Sequence, residues 1–81
     1  MNIYVGNLSP KILKWHLRRM FRRYGAVGNI SMDKRPSDGN PYNFCFLEMP
    51  IKDQASLAIK ELNGKKMGGY LLTVKESGVS I

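Results

Sequence analysis

Four aromatic side chains, Tyr4, Tyr42, Phe44 and Phe46, alternate with apolar or small residues in two short segments. Successive side chains of a strand point to opposite faces, so Ile3 and Val5 on one side leave Tyr4 on the other. The same parity sets Cys45, Leu47 and Met49 against Tyr42, Phe44, Phe46 and Glu48. With the aliphatic set in a core, four rings lie on a face that must be covered by a partner. Flat rings spaced along a sheet suit stacking on unpaired bases, worth roughly 1–3 kcal/mol per base. The opposing reading buries the rings and turns Cys45 and Leu47 outward; the alternation argues against it. For Tyr42, at a strand end, packing and ligand contact both stay open.

Charge points the same way. The chain carries 13 Lys and Arg against 6 acids, a net charge of +7, which suits a polyanionic partner. Six of the bases (Lys11, Lys14, Arg18, Arg19, Arg22, Arg23) fall between residues 11 and 23, where there is no acid. Such a run is a solvated helix face, a steering charge or a grip on a longer strand. Lys34 and Arg35, in a loop between strands, are better placed for direct phosphate contact. Lys65 and Lys66 read as solvated turn residues that could flank the far edge. Trp15 shares helical spacing with Arg18, Arg19 and Arg22, either as a cation–π stack or as a contact for a protein or second nucleic-acid segment.

Catalysis and metal binding have little to work with. His16 is the only histidine and Cys45 the only cysteine, too few for a metal site or a nucleophile with its base. His16 reads as a surface residue and Asn7 as part of a turn. The loop Gly6-Asn7-Leu8-Ser9-Pro10 has no positioned Arg and no clustered carboxylates, so a phosphatase-like enzyme is disfavoured. No cofactor is expected. The single cysteine cannot close an internal disulfide, which fits a reducing, cytoplasmic setting. Neither a membrane span nor a signal peptide is expected from the short apolar runs.

The elements that must position the rings follow from periodicity. Ile3-Tyr4-Val5 reads as strand one, stopped by Gly6-Asn7. Ser9 as N-cap and Pro10 in the first turn open a helix with Leu13, Leu17, Met20, Phe21 and Tyr24 on its buried stripe, and Gly25 in the C′ position. Val27–Asp33 follows as strand two, with Ile30 and Met32 facing one way and Asn29 and Ser31 the other. Residues 34–41 form a loop, and Tyr42–Met49 is the strongest strand. Asp53 is placed to cap a second helix carrying Ala55, Ala58, Ile59 and Leu62, ended by Asn63-Gly64. After a Gly68-Gly69 turn, Leu72 and Val74 mark the last strand. The order βαββαβ gives an α+β, ferredoxin-like two-layer sandwich with a four-stranded antiparallel sheet and both helices on one face. One domain is expected over residues 1–77, with a tail at 78–81.

With these residues in place the chain resembles the RNA-recognition motif family. Ile3-Tyr4-Val5-Gly6-Asn7-Leu8 is similar to its six-residue signature. Tyr42-Asn43-Phe44-Cys45-Phe46-Leu47-Glu48-Met49 is similar to its eight-residue one. Likeness continues through Leu17, Phe21 and Tyr24-Gly25, then Ala55, Ala58-Ile59 and Leu62-Asn63-Gly64, and covers residues 2 to about 77. The resemblance implies that Tyr4 and Phe44 stack on adjacent bases and that Phe46 packs against the sugars between them. It also implies that Thr73, Lys75 and Ser77 help to read base edges. Asn29, Glu48, Lys34, Arg35 and Tyr42 complete the expected single-stranded RNA site, with single-stranded DNA as a weaker ligand. The chain looks like the small single-domain members found in bacteria, and a monomer is expected. A protein-interaction surface at Trp15, Arg18, Arg19 and Arg22 is the alternative. Departures from the family pattern are Tyr42 for a basic residue, Asn43 for glycine and Met49 for an aromatic. Lys14 and its neighbours also stand where the family's first helix commonly carries a cap and acids, opposing the helix dipole.

Overall fold

The computed structural model describes residues 1–9, 11–33 and 43–78. Alternation in the sequence becomes a sheet with two unlike faces. Strands β1 (Asn2–Leu8), β2 (Ile30–Asp33) and β3 (Asn43–Glu48) are joined by β6 (Thr73–Glu76) in the antiparallel order β2-β3-β1-β6. Helices α1 (Lys14–Arg22) and α2 (Lys52–Leu62) pack on one face. Ile3, Val5, Cys45, Leu47, Met49 and Val74 from the strands are buried against Leu17, Phe21, Ala55, Ala58 and Leu62 from the helices. The core is closed by the aliphatic half of each strand, so the other half has no helix over it. This is the ferredoxin-like two-layer sandwich that the element order demands.

A short extra hairpin, β4 (Lys66–Met67) with β5 (Tyr70–Leu71), precedes β6. Its two-residue turn holds Gly68 and Gly69 at φ 59° and 87°. Hairpin turns of this primed type need positive φ at both central positions, which glycine supplies without strain. Reading Gly68-Gly69 as a bare turn missed the hairpin because each of its strands is only two residues long.

The first helix departs most from expectation. Ser9 does not cap it: the Ser9 hydroxyl accepts from the Lys11 N–H (3.3 Å) and its carbonyl from the Ile12 N–H (3.0 Å), closing a separate turn. Pro10 lies outside the described residues. Ile12 turns into the core, whereas Leu13, expected on the buried stripe, is exposed as the N-cap. A leucine side chain cannot accept a hydrogen bond, so the cap is made from the other end. The Leu13 N–H donates to His16 Nδ1 at 3.0 Å, the reach-back half of a capping box. His16 is thus a half-buried structural acceptor, not a plain surface residue. The late start also moves most of the charge: Arg19 and Arg22 occupy the last turn, where cations favour the dipole, and Lys14 begins the first. Gly25 lies beyond the helix C-cap at Arg23. Its place is set by Gln54 of α2, whose side-chain oxygen accepts from the Ala26 N–H at 2.9 Å and fills the space a Cβ on Gly25 would need. Asp53 does not cap α2 either. The N-cap is Ile51, and Asp53 sits in the first turn as a favourable charge.

Two predictions follow from this packing. His16→Ala removes the side-chain acceptor of the Leu13 N–H and is expected to cost about 0.5–2 kcal/mol in denaturant unfolding, with His16→Gln recovering part of it. Burial pushes the Cys45 thiol up to about 12. Because the unfolded chain then ionises first, stability falls as pH rises from about 9 towards 12. Cys45→Ala should flatten that slope, and a thiol reagent should label Cys45 only on unfolding.

Candidate nucleic-acid interface

The central strands carry the aromatic cluster. Tyr4 of β1 is directly opposite Phe46 of β3, and their ring centroids lie 5.6 Å apart, edge to face. Phe44 stacks on Tyr4 at 6.2 Å with 26° between planes, and meets Phe46 edge-on at 5.9 Å. All three are half-buried, supported by one another on the side of the sheet that lacks helices. A cation completes the edge: Lys75, paired with Tyr4 across β1 and β6, holds its Nζ 5.4 Å from the Tyr4 ring centre.

Gly6 explains why the turn after Tyr4 is glycine. A methyl group there would come within 2.7 Å of Tyr4 ring carbons, so the ring lies flat along the strand only because Gly6 has no side chain. Asn7 follows at φ 60°, in the left-handed region, where the register of β1 against β3 shifts. Its side-chain amide donates to the Leu71 carbonyl at 2.8 Å, tying β1 to the small hairpin. Asn7 is therefore a strand bulge rather than the end of the strand.

A groove of about 690 Å³ runs beside the rings, lined by Tyr4, Asn7, Phe46, Thr73, Lys75, Glu76, Ser77 and Gly78. It gathers Tyr4, Phe46, Thr73, Lys75 and Ser77, all expected from sequence, and adds Asn7, Glu76 and Gly78. The signal for Asn7 was its place after Gly6, read only as turn chemistry. Glu48 and Asn29 are exposed at the other end of the ladder, where the Glu48 N–H donates to the Asn29 carbonyl at 2.9 Å. Tyr42, Lys34 and Arg35 lie outside the described residues.

On the helical side the expected basic set divides. Arg18 is committed to its own fold, with its guanidinium donating to the carbonyls of Val27 (3.3 Å) and Gly28 (3.2 Å). Trp15 stacks on the His16 imidazole at 3.8 Å rather than on an arginine. Among the described residues no group of three or more His, Cys, Asp or Glu is placed to hold a metal. No helix there is long and apolar enough to cross a membrane.

Comparison with known proteins accords with this geometry. The family model for the RNA recognition motif matches residues 3–73. The poly(U)-binding-splicing factor rnp-6 of Caenorhabditis elegans is 38% identical over 72 residues, covering 89% of this chain and 10% of that protein. RbpA of Nostoc sp., named for RNA binding, is 34% identical over 77 residues, covering 95% of this chain and 76% of its own. The crystal structure of the RNA-binding protein PG1 superimposes with a TM-score of 0.88 at 34% identity, over 100% of this chain and 98% of that one. Relatives such as rnp-6 are far longer, so this chain corresponds to a small part of them.

Gly6→Ala provides a test of the ring support. The mutant is expected to push Tyr4 off its position, weakening any ligand of the sheet face more than it lowers thermal stability. Oligonucleotide titration beside a melting curve separates the two effects. From its signatures, its strand order and its relatives, the chain belongs to the RNA recognition motif family.

Proposed function

We propose that the helix-free sheet face binds single-stranded RNA by stacking bases on Tyr4 and Phe44, with Phe46 packed against the sugars between them. The observation that carries this reading is the triad of rings within about 6 Å of one another, bordered by Lys75 and the groove towards Ser77. Rings held by their neighbours lose little freedom when a base arrives, so more of the stacking energy is kept as affinity. Lys75 supplies charge beside the Tyr4 platform. Thr73 of β6 and Ser77 just after it offer hydrogen bonds to base edges at the sheet margin, and Asn29 and Glu48 do so at the opposite end.

On their place in the sequence, Lys34 and Arg35 contact phosphates and Tyr42 adds a fourth ring. Single-stranded DNA would bind the same rings more weakly, since it lacks the 2′-hydroxyl. The module acts by binding, not catalysis. It spans residues 1–77, a boundary supported by the Ser77 N–H donating to the Asn2 carbonyl at 2.8 Å; of the expected tail, residues 79–81 lie outside the described residues. A cytoplasmic setting fits its lone buried thiol.

Phe44→Ala and Phe46→Ala are each expected to weaken binding of a short single-stranded RNA by about 1–3 kcal/mol. Leu57→Ala, an exposed change on α2, serves as the control and should bind normally. A folded Phe44→Ala/Phe46→Ala double mutant that binds like the parent would refute the platform.

A further inference from the structure

Behind the sheet, α1 and the segment leading into the small hairpin enclose a cleft of about 440 Å³ lined by Trp15, His16, Arg19, Met20, Arg23, Lys65 and Met67. Trp15, Arg19 and Arg23 repeat every four residues and so share one side of the helix end to end. Trp15 is 56% exposed, and the imidazole of His16 backs it at 3.8 Å with 25° between planes. His16 is itself fixed by accepting the Leu13 N–H, so the indole rests on a held support. Arg19, Arg23 and Lys65 line the same cleft, and the lining contains no acid.

We infer that this cleft is a second RNA contact, taking one nucleotide of a strand that extends past the sheet platform. The inference rests on the reading that the chain binds single-stranded RNA. A flat ring among cations is what an unpaired base with its flanking phosphates requires. Arg19 and Arg23 suit phosphate oxygens through paired donors, and Lys65 as a mobile point charge. An acidic peptide would also satisfy the charges. A helical peptide, however, needs a groove for several apolar anchors, and the apolar floor here is only Met20 and Met67. At about 440 Å³ the cleft has the size of a small-ligand site. The proposal also gives the basic helix a task that its distance from the rings otherwise denies it.

Trp15 is the only tryptophan, so its emission reports this cleft and not the tyrosine-bearing sheet. The full chain would be titrated with random-sequence single-stranded RNA of four and of twelve nucleotides, following both Trp15 emission and amide shifts on β1 and β3. The longer RNA is expected to quench Trp15. The shorter one should shift the sheet amides while leaving Trp15 unchanged. Arg19→Gln/Arg23→Gln/Lys65→Gln should weaken the longer RNA about tenfold and lower its salt slope by about 2, with the shorter unaffected. Unchanged Trp15 emission at saturation with the longer RNA would overturn the proposal while leaving the platform intact. So would a folded triple variant that binds the longer RNA like the parent. A polyglutamate peptide that moves Trp15 emission and is not displaced by the longer RNA would also overturn it, pointing to a protein partner. Binding of neither RNA would remove cleft and platform together.

Discussion

Burial of Ile3, Val5, Cys45 and Leu47 beneath two helices is the constraint on which the rest of the molecule depends. These four belong to neighbouring strands at the centre of the sheet, and the complete burial of Ile3, Val5 and Leu47 contributes about 1.5–3 kcal/mol each. A one-residue slip of either strand would exchange the whole set for the residues beside them. Tyr4, Phe44 and Phe46 are thereby held outward by energy spent on the opposite face. The ring platform needs no separate mechanism to keep it from collapsing into the core.

Local detail then sharpens what the alternation permits. Mutual edge-to-face and stacked contacts hold the three rings, Gly6 leaves room for Tyr4 to lie along its strand, and Lys75 borders it. The bulge at Asn7 reaches across to Leu71 and joins the platform to the hairpin before β6. Elements remote in sequence thus meet along one groove. That groove ends where β6 runs out at the sheet margin.

Much of this was legible in the sequence because period-two and period-3.6 patterns report burial directly. Ile3/Val5 against Tyr4, and Ala55, Ala58 and Leu62 on one helical face, needed no coordinates. The misread features depend on pairings between distant or very short segments. Ser9-Pro10 has the composition of a helix start, yet Ser9 is used in its own turn and His16 caps the helix three residues after Leu13. Asp53 likewise looks like a cap and is a first-turn charge. Gly25 reads as a helix stop, although the space above it belongs to Gln54. Arg18 could be placed on a helix face but not paired with the Val27 and Gly28 carbonyls, because that turn has no periodic signature.

The two sides of the sandwich differ in chemistry. On the sheet, aromatic area dominates and charge is marginal; on α1, charge dominates around a single indole. Contact between bases and the sheet rings is the central claim, and nuclear Overhauser effects between a bound short RNA and the Tyr4, Phe44 and Phe46 ring protons test it most directly. Cross-peaks from base protons to Tyr4 and Phe44, and from ribose protons to Phe46, are the predicted result. Cross-peaks confined to α1 or α2, with the three rings silent in a saturated complex, would contradict it.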